Sequence, residues 1–143
     1  MKNAPPIPVR YAESIPLKLD NEGLELHTFN KPTPLLSGKE KIIGFCPGAK
    51  HFTKRWPGEY FIELGKKLTA EDYGIVIFGG KDDKELCGKI AKEIPGAVDL
   101  SNENNILQTA ADMKLCSAVI CNDSGLMHAA CAANVPVLAI YGS

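Results

Sequence analysis

From residue 41 onward, short apolar runs alternate regularly with stretches of helical periodicity, and this alternation restricts the fold more than any other feature. Strands that alternate with helices at this spacing predict a parallel sheet with helices on both faces. We therefore predict an α/β, Rossmann-like fold. The predicted strands are residues 41–46, 74–78, 97–100, 118–121 and 136–141.

Between these strands the sequence predicts four helices. Pro57 lies in the first turn of the first helix, where proline is tolerated because its missing N–H has no helical partner. Asp82 and Asp83 open the second helix as capping residues. The third helix is predicted over 105–116 and the fourth over 125–134. The residues predicted to face inward from the third helix are Leu107, Ala110, Ala111 and Leu115.

Folds of this kind usually have the strand order 3-2-1-4-5, which places the carboxyl ends of strands one and four side by side. Ligands bind in the crevice at this position, where the strand order reverses. The loop at 47–54 and the loop at 122–125 are then expected to face each other. These loops also carry the most chemically active side chains, so we predict a ligand site between them.

Composition excludes several classes of function. The chain has 143 residues, enough for one domain, and 45% of them are hydrophobic, which suffices for a core. Its formal net charge is −1, whereas a nucleic-acid-binding protein usually carries a basic excess. No apolar run approaches the roughly 20 residues that span a bilayer. We therefore expect no nucleic-acid partner and no transmembrane segment.

The five cysteines are an odd number and lie within predicted strands and helices. Disulfides are rare in reducing compartments, and the start of the chain does not resemble a signal peptide. We therefore predict a cytosolic protein in which these residues are reduced, buried thiols. The five lie at positions 46, 87, 116, 121 and 131.

Residues 1–38 differ from the rest of the chain because they contain six of its ten prolines. This density excludes a long helix and favours extended chain. Alternation of apolar and polar residues over 24–29 predicts one short strand. We predict a linker and lead-in strand over 1–38, followed by the Rossmann-like domain over 39–143.

The loop after the first strand, residues 47–57, combines a glycine with several cations. Gly48 permits a tight backbone, while Lys50, Lys54 and Arg55 supply positive charge. Cations beside a helix N-terminus suit a diphosphate group. A solvated basic loop is the alternative explanation. The loop is not a Walker A sequence, because no Gly-Lys-Ser/Thr ends it.

The segment 122–128 places a carboxylate, a hydroxyl and an imidazole close to a predicted helix N-terminus. Asp123, Ser124 and Gly125 are good capping residues, so a capped helix explains part of the pattern. Helix N-terminal N–H groups beside a glycine also form an anion site. His128 is either a packed core histidine or a group beside the ligand. Capping does not require all of these residues, so we favour a ligand site.

Three other chemistries are not favoured. A serine-hydrolase elbow requires glycine at residue 122, which is Asn. Metal ligation by His128 with nearby cysteines matches no zinc spacing. The glycines at 79–83 serve strand–helix packing, and no Gly-x-Gly-x-x-Gly fingerprint is present.

Several motifs occur in order and at fitting spacing. They are Phe45-Cys46-Pro47-Gly48-Ala49, Lys54-Arg55-Trp56-Pro57, Phe78-Gly79-Gly80, the Asn-Asp-Ser-Gly-Leu-Met-His-Ala-Ala stretch at 122–130, and Tyr141-Gly142. Together they resemble the heptosyltransferase family, glycosyltransferase family nine, over about residues 40–143. The pairing of Asp-Ser-Gly-x-x-His with the upstream Lys-x-Trp-Pro is the specific part of this resemblance.

The resemblance implies one half of a GT-B architecture, in which two Rossmann-like domains flank a cleft. The chain is similar to the C-terminal half, which binds a nucleotide-sugar donor such as ADP-heptose. The general base and the site for the lipid-linked sugar acceptor would lie in an N-terminal domain, so this chain alone is expected to be inactive. The implied enzyme is an inverting transferase of lipopolysaccharide core synthesis. It would act in the cytoplasm, peripheral to the inner face of the bacterial inner membrane, without a metal or other cofactor.

The resemblance also implies roles for individual residues. Lys54 would meet the diphosphate and Asp123 the hydroxyls of the transferred sugar, and these two are the expected catalytic residues. Ser124 and Gly125 would offer backbone N–H groups to phosphate, with His128 beside them.

Further substrate-binding residues follow from the same resemblance. Gly48, Ala49 and Lys50 occupy the loop that approaches the phosphates. Asn104 falls where relatives pass backbone along the adenine. Lys81 stands where some relatives have a carboxylate for the ribose, and this departure leaves the nucleobase open.

Two other functions remain open from the sequence. A single domain is compatible with a stand-alone nucleotide-sugar-binding module without transfer activity. A nucleotide-sugar 2-epimerase-like domain would share the architecture.

Overall fold

A computed structural model of the chain describes residues 30–34, 40–101 and 106–141. The elements in these ranges are β1 (Ile42–Cys46), α1 (Gly58–Ala70), β2 (Gly74–Ile77), α2 (Lys84–Glu93), β3 (Val98–Asp99), α3 (Ile106–Met113), β4 (Ala118–Asn122), α4 (Gly125–Ala132) and β5 (Val137–Ile140). Short 3₁₀ helices span Phe52–Lys54 and Lys81–Asp83. The predicted strand at 24–29 and the boundary at residue 38 lie outside the described residues.

The five strands form one parallel sheet in the order β3-β2-β1-β4-β5. This confirms the predicted strand order. Cys46 at the end of β1 pairs in register with Cys121 of β4, so the two following loops leave the sheet side by side. The strand order proceeds outward from β1 to β3 on one side and from β4 to β5 on the other, so the switch point lies between β1 and β4, where a ligand crevice is expected.

Alternate residues of β1 point to opposite faces of the sheet, and both faces are covered. Ile43 and Phe45 belong to a core cluster with Phe61 of α1. Ile42 belongs to a second cluster with Met113 of α3. Helices therefore pack on both faces, which confirms the predicted fold class and explains why the central strands are apolar throughout.

Two predicted helix ends are wrong, and the backbone shows why. Cys116 lies beyond α3 because its N–H donates to the carbonyl of Met113 at 2.9 Å, three residues back, which tightens the chain into a turn. α4 ends before Asn134, whose φ of 57° is left-handed. The N–H of Val135 then donates to the carbonyl of Ala130 at 3.1 Å and closes the helix end.

The predicted inner face of α3 is also partly wrong. Leu107 and Leu115 are 38% and 40% exposed, whereas Asp112 is fully buried. The carboxylate of Asp112 accepts hydrogen bonds from the N–H and hydroxyl of Thr33, at 2.6 and 2.9 Å. Gln108 donates to the carbonyl of Lys31 at 2.9 Å. Residues 30–34 therefore lie on α3 and cover its polar side, which helical periodicity alone does not reveal.

The cysteines are unpaired thiols, and four of the five are buried. Cys131 is exposed, so the prediction of burial is wrong there. Burial raises the pKa of Cys87 and of Cys116 to about 12, with a nearby carboxylate contributing to each. These thiols stay protonated at neutral pH and act as small apolar packing groups.

The contact between α1 and α2 predicts opposite effects for two helical glycines. A Cβ at Gly65 would overlap the buried side chain of Ile94, with Cγ1 at 2.9 Å, whereas a Cβ at Gly88 meets only Asp99 Oδ2 at 3.6 Å. Both substitutions gain the helix propensity of alanine, about 0.8–1 kcal/mol. Overpacking at Gly65 costs about 1–3 kcal/mol. Urea unfolding is expected to show Gly88→Ala stabilised and Gly65→Ala destabilised, and equal stabilisation of both would contradict this packing.

Candidate functional site

A cleft of about 660 Å³ opens at the carboxyl ends of β1 and β4. Five of the residues predicted from the sequence line it. Gly48, Ala49 and Lys50 come from the loop after β1, and Ser124 and Gly125 come from the start of α4. The structure therefore brings together two loops that are far apart along the chain. The functional roles of these five residues stay predictions.

The other predicted site residues do not line this cleft or lie outside what the structure describes. Lys81 and His128 are exposed, and Asp123 is half-buried beside Ser124. Lys54 ends the 3₁₀ helix in the first loop, and its side chain lies outside the described part of the chain, as does all of Asn104.

The hydroxyl of Ser124 shows that the start of α4 has unused hydrogen-bonding capacity. Ser124 has an extended backbone, with φ −150° and ψ 171°, and its side chain does not cap the helix. Its Oγ is buried without a hydrogen-bond partner among the described residues. The first N–H groups of a helix also have no partner within the helix. The cleft wall at Ser124 and Gly125 can therefore bind an anion.

Charges of both signs border the cleft. Lys50 and Arg55 belong to the first loop, and Asp82 and Asp83 face them from the turn after β2. The Nε of Arg55 donates to the carbonyl of Ala49 at 2.8 Å, so this cation is fixed across its own loop. A ligand with an anionic centre and hydroxyl groups at its ends fits such an arrangement.

The first loop approaches the turn after β2 very closely at Gly48. A Cβ on Gly48 would overlap the carboxylate of Asp83. That carboxylate accepts a hydrogen bond from the N–H of Gly80 at 3.2 Å. Glycine at 48 therefore leaves room for the Asp83 carboxylate, in addition to permitting the tight backbone predicted from the sequence.

Sequence reasoning missed Asn122 as a site residue. Its side chain is fully buried at the end of β4. Its Nδ2 donates to the carbonyl of Pro47 at 2.8 Å, and its Oδ1 accepts from the N–H of Trp56 at 3.1 Å. The signal was an amide at the end of an apolar strand, where a buried polar group needs partners.

Sequence reasoning also missed residues that line the cleft from outside the two predicted loops. Asp82 and Asp83 were interpreted only as helix caps, and Ile106 as part of a helix. Ile106 lines the cleft and is 49% exposed. An apolar side chain in this position is available to pack against a flat, weakly polar group of a ligand.

Within the described ranges, no group of three or more His, Cys, Asp and Glu side chains has an arrangement that could hold a metal ion. The helices of the same ranges are too short or too polar to cross a membrane.

Comparison with known proteins identifies the family. A family model described as glycosyltransferase family 9 (heptosyltransferase) matches residues 11–143. The chain belongs to this family. The match covers nearly all of the chain, including both loops of the cleft.

Two curated members of the heptosyltransferase family are similar over most of this chain. The lipooligosaccharide heptosyltransferase 2 of Haemophilus influenzae is 38% identical over 123 residues, which are 82% of this chain and 35% of that protein. The lipopolysaccharide heptosyltransferase 2 of Escherichia coli is 38% identical over 128 residues, covering 85% and 36% of the two chains. The chain therefore spans about a third of the length of these relatives.

A solved structure agrees with this assignment. The E. coli ADP-heptose lipopolysaccharide heptosyltransferase II matches with a TM-score of 0.69 at 38% identity, over 73% of this chain and 34% of that one. This likeness to a heptosyltransferase confirms the predicted fold class.

The tight approach at Gly48 predicts a specific sensitivity to a methyl group. Gly48→Ala is expected to destabilise the chain by about 1 kcal/mol, because the new Cβ displaces the Asp83 carboxylate from its hydrogen bond with the N–H of Gly80. Gly80→Ala is the matched control, since its Cβ comes no closer than 3.8 Å to Asp83. Thermal unfolding measures both variants. A Gly48→Ala protein as stable as wild type would show that the position of the Asp83 carboxylate beside Gly48 contributes nothing to stability.

Proposed function

We propose that this chain is the donor-binding part of an inverting heptosyltransferase of lipopolysaccharide core synthesis, with ADP-heptose or a similar nucleotide sugar as donor. The observation that carries the proposal is the shared cleft, in which cations of the first loop face the N-terminus of α4. The 38% identical relative of known structure is named for ADP-heptose. Family membership favours sugar transfer over the 2-epimerase alternative.

The diphosphate of the donor lies, in this proposal, between the two loops. Lys50 and Lys54 supply positive charge from one side. The backbone N–H groups of Ser124 and Gly125 and the hydroxyl of Ser124 donate from the other side. This hydroxyl has no protein partner among the described residues. Fixed donors and cations of this kind stabilise a leaving group without having to reorient as its charge develops.

The proposed reaction is a single displacement at the anomeric carbon of the donor sugar. A hydroxyl oxygen of the acceptor forms the new bond while the bond from that carbon to the diphosphate oxygen breaks, with inversion. The nucleoside diphosphate leaves with the bonding electron pair, and the hydroxyl proton passes to a general base. Lys54 stabilises the departing diphosphate, and Asp123 holds hydroxyls of the sugar.

The base and the site for a lipid-linked sugar acceptor are assigned to a domain outside this chain. General-base catalysis contributes about 10²–10⁴-fold to rate, so the chain by itself is expected to bind donor without transferring it. The proposal places the enzyme in the cytoplasm at the inner face of the inner membrane. It assigns the leaving-group charge to protein groups, so no metal or other cofactor enters the reaction.

Donor affinity tests the proposed site directly. Lys54→Ala and Asp123→Ala are each expected to weaken ADP-heptose binding about 10–100-fold, because each removes a charge-assisted hydrogen bond. Lys67→Ala is the matched control, since Lys67 is an exposed lysine on α1 that pairs with Glu63 at 2.7 Å. Isothermal calorimetry measures all three. Unchanged affinity in both site variants would refute the proposed roles.

A second experiment separates the transferase from the stand-alone binding module. The chain is mixed with a separately produced N-terminal half and a lipid-linked acceptor, and glycosylated acceptor is measured by mass spectrometry. Product that depends on both parts supports the transferase. Persistent donor binding without product at any ratio of the two parts favours the binding module.

A further inference from the structure

The side chain of Asn122 joins the end of β4 to the loop that follows β1. It is fully buried, and each of its polar ends bonds to a residue of the first loop, 75 and 66 positions earlier in the chain. Pro47 begins that loop and Trp56 ends it. One side chain on β4 therefore holds both ends of the loop that carries Lys50 and Arg55.

The chemistry at this position requires an amide. The carbonyl of Pro47 needs a donor and the N–H of Trp56 needs an acceptor, and a carboxamide offers one of each in a fixed plane. An ionised carboxylate would place a second acceptor against the Pro47 carbonyl. An apolar side chain would leave both backbone groups buried without a partner, which is costly.

The far end of the loop is held by packing as well. The Trp56 ring meets the Phe61 ring edge-on, with centroids 4.8 Å apart, and Phe61 is fully buried in the core under α1. Arg55 bonds back to the carbonyl of Ala49. The loop is therefore braced internally, and its placement relative to β4 depends on Asn122.

We propose that Asn122 is a positioning residue, which sets the distance between the basic loop and the N-terminus of α4 and so determines the affinity for a nucleoside diphosphate. The affinity part of this inference rests on the proposed function. Asn122 directly precedes the segment that opens α4, so the same strand end positions both groups that would bind the diphosphate. Asn122 itself does not line the cleft and acts through the loop.

Two substitutions of Asn122 and one control test the proposal in the 143-residue chain. Asn122→Ala removes both hydrogen bonds, and Asn122→Asp keeps the acceptor for Trp56. Asp112→Asn is the control, because Asp112 of α3 is equally buried but bonds to Thr33, which lies away from the loop after β1 in sequence. Urea unfolding measures the stability lost by each variant, so that effects on the loop can be compared at similar stability.

The first readout needs no ligand. Trp56 is the single tryptophan of the chain, so its fluorescence and acrylamide quenching report on the loop alone. Asn122→Ala is expected to increase quenching and to accelerate hydrogen exchange of the Trp56 amide about tenfold or more, because a buried hydrogen bond is lost. Asp112→Asn is expected to leave both signals unchanged. Unchanged Trp56 signals in Asn122→Ala would overturn the proposal that Asn122 holds the loop in place.

The second readout is affinity for ADP, measured by calorimetry. Asn122→Ala is expected to bind ADP about tenfold more weakly than wild type, whereas Asp112→Asn binds equally well. Increased quenching and faster amide exchange of Trp56 with unchanged ADP affinity would overturn the positioning role of Asn122. If wild type binds no ADP, the proposed function fails, while the Trp56 signals still decide whether Asn122 holds the loop.

Protonation offers a rescue that a general loss of stability would not show. The neutral carboxyl of Asn122→Asp can donate to Pro47 and accept from Trp56 as the amide does, and burial favours this neutral form. As the pH rises from about 5 to about 8, Trp56 quenching in Asn122→Asp is expected to increase relative to wild type and ADP affinity to fall. Both are expected to recover on acidification. Comparison with wild type at each pH cancels the effects of pH that the two proteins share, including the titration of ADP. A defect of Asn122→Asp that does not change with pH would overturn the requirement for one donor and one acceptor at this position. If Asn122→Ala does not fold, the pH measurements on Asn122→Asp are sufficient to test the proposal.

Discussion

The parallel pairing of β1 with β4 at the centre of the sheet is the constraint on which the rest of the structure depends. These strands are distant in sequence but adjacent in space, with Cys46 opposite Cys121. Their buried, apolar residues leave one register that keeps both faces covered. The two polar loops that follow must then emerge beside each other, and the cleft with its cations and its helix N-terminus results from that placement.

Much of this arrangement could be predicted because its signals are local. Apolar runs such as 74–78 indicate strands, and the glycine, proline and aspartate residues between them indicate turns. Local signals do not give strand order, which came from the precedent for folds of this type. With that order, the sequence alone predicts that Lys50 lies near Ser124 and Gly125, as the cleft shows.

Two features that sequence reasoning missed depend on partners far along the chain. Leu107 and Leu115 have the spacing of an inner face, yet the side of α3 that is covered carries Asp112, because residues 30–34 lie over it. Nothing near Asn122 in the sequence indicates its two partners in the first loop. Periodicity reports which side of a helix is apolar, and cannot report which polar group a distant segment will satisfy.

The bond between Thr33 and Asp112 has a practical consequence for dissecting this protein. A recombinant piece that starts at residue 39, where the proline-rich composition ends, would lack both donors that Thr33 provides. The same piece would lack the segment that covers Asp112, so the polar side of α3 would be exposed to water without these two hydrogen bonds. A boundary drawn by composition at residue 39 therefore separates α3 from a segment that packs on it, and a piece that keeps this contact begins upstream of Thr33.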